Sequence, residues 1–112
     1  MAEANEPPAG AVRRELREEL GLDIQPGAVL CVDWVSPHGP WDDLINFIFD
    51  GGTLASDIAS SIKITDEELR AIEFCDEGQV KERLRPYVWR RVTVALEALR
   101  TGQARYLEDG HA

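Results

Sequence analysis

The chain has 112 residues, 44% hydrophobic and 29% charged, with a formal net charge of -9. That length fits one domain, 1–112, with a modest core, and that charge excludes a basic surface for duplex nucleic acid. A small phosphorylated ligand stays open, because a carboxylate-held metal can bridge two negative partners. There is no apolar run of membrane-spanning length and no secretory leader, which predicts no membrane contact and a cytoplasmic location. Cys31 and Cys75 lie in apolar stretches without CxxC spacing, as buried free thiols do.

Residues 1–6 are small and acidic, and they are expected to be flexible. Pro7 and Pro8 suit the first turn of a helix. Ala11, Val12, Leu16 and Leu20 then form an apolar stripe, and Gly21 follows where a left-handed C-cap is expected. Gln25-Pro26-Gly27 reads as a turn. Val29–Val35 is rich in β-formers and predicts a strand. The Pro- and Gly-dense segment 36–43 reads as a loop holding His38 and Trp41. Leu44–Phe49 is almost continuously apolar, the pattern of a central strand covered on both faces. Residues 53–61 suggest a loop with a helical turn, and short strands are expected at 62–64 and 69–75. Glu77–Leu84 predicts a short helix, which Arg85-Pro86 ends. Tyr87–Arg100 carries the stripe Val88, Val92, Ala95, Leu96 and Leu99, with Thr101-Gly102 as its stop. A short edge strand over 103–108 and a loose tail, 108–112, complete the chain. The element order predicts a mixed α/β fold.

The chemistry concentrates in Arg14-Glu15-Leu16-Arg17-Glu18-Glu19-Leu20-Gly21-Leu22. Glu15, Glu18 and Glu19 are spaced i, i+3 and i+4, so an α-helix sets their carboxylates on one face. Like charges at that spacing destabilise an isolated helix. A hard divalent cation reverses the sign of that effect, since Mg²⁺ prefers oxygen ligands and is held by one or two carboxylates plus substrate phosphates. A solvated acidic face is the competing reading for any run of glutamates.

The same stretch resembles the core of the Nudix box, G-x5-E-x7-R-E-U-x-E-E-x-G-U, where U is a bulky aliphatic residue. Arg14, Glu15, Leu16, Glu18, Glu19, Gly21 and Leu22 fall on its R-E-U-x-E-E-x-G-U part without a mismatch, and Glu6 falls on the isolated Glu. Counting back six further residues passes Met1, so the resemblance implies a Nudix-like α/β/α sandwich with a mixed sheet that is N-terminally truncated. It implies Mg²⁺-dependent (or Mn²⁺-dependent) hydrolysis of a nucleoside diphosphate linked to another moiety. The alternative is an inactive binding or scaffold module derived from the same fold. By position, Glu15, Glu18 and Glu19 correspond to the metal ligands. Glu15 corresponds to a ligand or base, and Arg14 to the arginine that pairs with a box glutamate. Glu6 matches the residue that steadies the loop before the helix. Asp66, Glu67 and Glu68 are candidates for a further acidic ligand, and His38 and Trp41 for the border of a base pocket. The strand edges such a truncated sheet exposes predict a homodimer.

Overall fold

The computed structural model of the chain describes residues 2–60, 62 and 76–111. Its elements are α1 (Pro8–Leu20), β1 (Val29–Val35), β2 (Leu44–Phe49), α2 (Ser56–Ser60), α3 (Glu77–Arg83), α4 (Pro86–Thr101) and β3 (Arg105–Glu108). They belong to two compact units, Met1–Gly27 with Gly51–Phe74 and Ala28–Asp50 with Cys75–Ala112. The fold is mixed α/β, as the sequence predicts. The strands expected at 62–64 and 69–75 fall, Ile62 apart, outside the described residues, as does the acidic turn 65–68.

In the first unit α1 starts where proline chemistry puts it. Pro7 is the N-cap in an extended conformation, φ -67° and ψ 152°, and Pro8 takes the first helical position, where a missing N–H removes nothing. Gly21 ends the helix at φ 67°, a region that costs an L-residue strain and glycine little. The Gly21 amide donates to Arg17 O at 3.0 Å and the Leu22 amide to Leu16 O at 3.3 Å, satisfying two carbonyls that the helix end leaves open. Ala11 is the buried residue of the stripe. A five-residue helix, α2, is the helical turn expected within 53–61.

The second unit is a three-stranded mixed sheet in the order β2-β1-β3. β1 pairs antiparallel with β2, from Cys31 opposite Ile48 to Val35 opposite Leu44, and parallel with β3, from Cys31 opposite Arg105 to Trp34 opposite Glu108. The centre is therefore β1 and not β2. β2 is paired only with β1 among the described strands, and Leu44, Ile45 and Phe47 stay exposed on it. Its apolar run does not mark burial on both faces.

Helix α4 packs against β1 and β3. Cys31, Ala95 and Leu107 form the buried cluster, with Leu30, Ile48 and Val94 packed around it. Cys31 is the buried free thiol that its surroundings predict, and desolvation pushes its pKa up. On α4 the close approach uses the small side chains of Ala95 and Ala98, while Leu99, expected inward, is exposed. Pro86 opens this helix, and Gly102 closes it in a left-handed cap. Asp76 caps α3: its side chain accepts from the Gln79 amide at 2.9 Å, and the Gln79 side chain accepts from the Asp76 amide at 2.9 Å, a reciprocal capping box.

A buried ion pair ties the unit's ends together. Asp33 on β1 is wholly inaccessible, and its Oδ2 accepts from Arg91 Nε of α4 at 2.6 Å. Its Oδ1 accepts from the Gly110 amide at 2.9 Å. A carboxylate out of water must be paired and hydrogen-bonded, and both oxygens are. The tail expected to be loose is consequently held at 109–111: the Asp109 amide also donates to Trp34 O at 2.7 Å, and Arg90 meets His111. Gly110 sits at φ 79°, with the Arg90 side chain at 3.6 Å from where a Cβ would lie.

Candidate metal-binding and catalytic site

Arg14, Glu15, Glu18 and Glu19 all stand on α1, so the helix itself sets their spacing. The Arg14 guanidinium organises the group. It binds Glu6 through two parallel bonds, Nε to Oε2 at 2.9 Å and Nη2 to Oε1 at 3.1 Å, and donates from Nη1 to Glu18 Oε2 at 3.1 Å. Glu15 Oε1 lies 3.7 Å from Nη2 and Glu3 Oε1 3.7 Å from Nη1. The planar fork suits this bidentate task, which a lysine ammonium performs only as a point charge.

Glu6 is thus the main partner of Arg14, and the segment before the helix is anchored through it. Its Oε1 accepts from the Glu3 amide at 3.0 Å, and the Glu6 amide donates to Glu3 O at 3.1 Å. The Arg14 hydrogen bonds hold the Glu6 carboxyl below its usual range, and Glu6 in turn raises Arg14. Both stay charged near neutrality. The Arg14 side chain is one-quarter exposed and that of Glu18 more than half; Glu19 is half-buried. The guanidinium holds Glu18 from one side, at the solvent-facing edge of the helix.

Sequence spacing did not reveal a second clamp. Asp23, just past the C-cap, accepts from Arg13 Nε at 2.8 Å and Nη2 at 3.2 Å, and from Arg17 Nη2 at 3.1 Å. Arg13 and Arg17 are one helical turn apart, and an acid two residues beyond the capping glycine was the available signal. The bonds from Arg13, then those from Arg17, lower the Asp23 pKa from its ordinary 3.8 to about 2. A carboxylate depressed in the folded state stabilises the protein above its unfolded pKa, and that contribution is lost as pH falls through the folded one. Replacing Asp23 with Asn is expected to lower the unfolding temperature at pH 7, with the gap to wild type closing between about pH 4 and pH 2. Parallel curves in thermal unfolding followed across that range would refute this.

His38 and Trp41 face each other across a tight turn, His38 amide to Trp41 O at 3.1 Å and Trp41 amide to His38 O at 2.9 Å. Trp41 is exposed, and Trp34, its alternative packing partner, donates from Nε1 to Asp43 Oδ2 at 2.8 Å. Asp66, Glu67 and Glu68 lie outside the described residues.

The donor set suits a hard cation, since carboxylate oxygens are what Mg²⁺ and Mn²⁺ prefer. Among the described residues no three His, Cys, Asp or Glu side chains already form a group able to hold a metal. Mg²⁺ does not require such a cage, because it keeps waters and shares its shell with substrate phosphates. The residues therefore fit a cation that is completed by its substrate.

A mixed α/β chain with an arginine-anchored acidic helix is the class that this fold and site define. A family model for the NUDIX domain matches residues 1–96, and the chain belongs to that family. The assignment supports a pyrophosphohydrolase-type function in general, in a family that uses divalent metals. No curated protein and no solved structure matches the chain in the corresponding comparisons. No helix among the described residues is long and apolar enough to cross a membrane.

Proposed function

We propose that residues 1–112 act as a single Nudix-like domain that hydrolyses a nucleoside diphosphate linked to another moiety, with Mg²⁺ or Mn²⁺ held by Glu15, Glu18 and Glu19. The observation that carries this reading is the Arg14 guanidinium fixing Glu6, just before the helix, and Glu18 on it, within a chain that matches the NUDIX domain. When bound, the metal supplies charge to offset the negative phosphate oxygens and to lower the pKa of a water. The chain's own contribution is positional. Arg14 keeps Glu18 in one rotamer at the helix edge, Glu6 keeps Arg14 in place, and the Gly21 cap ends the helix just past Glu19. Glu15, adjoining the guanidinium, is the candidate proton acceptor within the box.

The test is product release from a panel of nucleotides and nucleotide sugars with Mg²⁺ or Mn²⁺, run beside Glu18→Gln. Turnover that depends on metal and is lost in the variant supports the reading. A wild type as inert as the variant overturns it in favour of a binding or scaffold module. That second reading draws on the lack, among the described residues, of a ready three-ligand group.

Arg14 is a positioning residue in this scheme. Arg14→Lys keeps the charge and loses the fork. Removal of an outer-shell partner costs about 10–100-fold in metal affinity or activity. The expected result is a Mg²⁺ activation midpoint raised by about that factor, with turnover partly restored at saturating metal. An unchanged midpoint would remove Arg14 from the site.

A further inference from the structure

The turn ahead of α1 contains a residue to which the hydrolytic scheme gives no part. In Glu3-Ala4-Asn5-Glu6 the Glu6 amide donates to Glu3 O at 3.1 Å. Asn5, the third residue of this turn, stands at φ 63°, and Ala4 before it does not share the positive sign. A single positive φ at that position is the type II pattern, which takes glycine or asparagine there. Most other L-residues lose about 5–30-fold in population in this region, because Cβ crowds the following carbonyl oxygen.

A side chain closes the same turn a second time. The Glu3 amide donates to Glu6 Oε1 at 3.0 Å, so the backbone and the carboxylate of Glu6 both grip Glu3. The carboxylate is thereby aimed back at the helix, where Oε2 accepts from Arg14 Nε at 2.9 Å and Oε1 from Nη2 at 3.1 Å. The Glu6 side chain is 18% exposed, the least of the four carboxylates around Arg14, of which Glu3 reaches 70%. A carboxylate so far out of water depends on its hydrogen bonds. Gly10, in the first turn of α1, leaves room for the fold-back: a Cβ there would lie 3.3 Å from Pro7 Cγ and 3.8 Å from Glu6 Cγ.

The guanidinium is planar, so fixing Nε and Nη2 on Glu6 also fixes where Nη1 points. Nη1 is the nitrogen that donates to Glu18 at 3.1 Å. We propose that Asn5 is a positioning residue for the acidic helix: its left-handed backbone closes the turn that holds Glu6 against Arg14, and through that fork it sets the place of Glu18. Asn5 acts through Glu6 and Arg14 and has no chemical step of its own. Its consequence for metal binding rests on the hydrolase reading, whereas its consequence for Arg14 does not.

Two variants of the full chain test this. Asn5→Gly keeps the left-handed region open, and Asn5→Val closes it, because a β-branched residue is an outlier at positive φ. The first readout is the ¹H–¹⁵N signal of Arg14 Nε and its exchange with water, recorded without metal. Asn5→Gly is expected to match wild type, and Asn5→Val to speed the exchange by about 5–30-fold, the population shift that the turn penalty sets. The second readout is Mn²⁺ alone, titrated without substrate. Asn5→Val should weaken its binding by up to about tenfold, the lower end for an outer-shell partner, and Asn5→Gly should leave it unchanged. Urea midpoints should stay close in all three chains, since an exposed turn ahead of the first helix opens locally. An Arg14 signal unmoved by Asn5→Val, or a glycine variant perturbed as much as the valine one, would overturn the proposal. So would a fall in urea midpoint large enough to account for the faster exchange, or Mn²⁺ binding that is equal in wild type and Asn5→Val. A wild type that binds no Mn²⁺, with Arg14 still released in Asn5→Val, counts against the metal reading and supports the role of Asn5.

Discussion

Glu18→Gln is expected to reduce metal-dependent product release by about a hundredfold or more. A metal that offsets transition-state charge contributes several kcal/mol, and each 1.36 kcal/mol is tenfold in rate. The substitution is nearly isosteric and keeps a carbonyl oxygen for the Arg14 Nη1 bond of 3.1 Å. The Glu18 side chain is 59% exposed, so its folding contribution is small, and surface changes of this kind stay within about 0.5 kcal/mol. The two readouts therefore separate. Urea midpoints should coincide while rates diverge, and a rate loss matched by unfolding would reassign Glu18 to a structural role. Glu19→Gln provides the internal comparison. Glu19 has no ion pair with Arg14, so its loss should act on metal dependence and leave the Arg14–Glu6 clamp alone.

Elements whose signals are local were legible in the chain. α1 begins at its proline and ends at Gly21 because both residues act through their own backbones, and β1 occupies the expected Val29–Val35. Burial was less legible because it depends on partners distant in sequence. β2 carries the more continuous apolar run, yet β1 is central because β3, some seventy residues later, pairs with it in parallel. Likewise the α4 stripe pointed to Leu99, while packing on the sheet selected Ala98, whose small side chain lets backbone approach backbone.

The box shows the same division. The order of Arg14, Glu15, Glu18 and Glu19 was readable from spacing, but the dominance of Glu6 as the Arg14 partner was not, because it depends on how residues 2–6 fold back before the helix. Asp33 was the largest omission. An aspartate within an apolar strand suggested nothing until its two partners, Arg91 and Gly110, arrived from the far end of the chain.

That aspartate sets the largest expected loss of stability. Arg91→Ala should cost about 3–5 kcal/mol, the usual result of stranding one member of a buried pair. A domain of this kind has about 5–15 kcal/mol in total, so the urea midpoint should fall by on the order of 2 M. Asp33→Ala strands the other partner, but the Arg91 side chain is 15% exposed and its long stem can carry the charge toward water. The penalty there comes more from the Gly110 amide losing its acceptor. Replacing both residues with apolar ones, Asp33→Leu with Arg91→Met, separates these effects. Removing both charges restores most of the loss, since such pairs barely repay their own desolvation. The orphaned Gly110 amide still costs about 1–3 kcal/mol, so the double variant should settle below wild type by that amount. A loss under about 1 kcal/mol for Arg91→Ala would show that the pair is solvated in solution. If the double variant regains full stability, the pair is dispensable for holding the tail. If it regains only part, Asp33 is retained less for the ion pair than for anchoring the turn at 109–111 through the Gly110 amide.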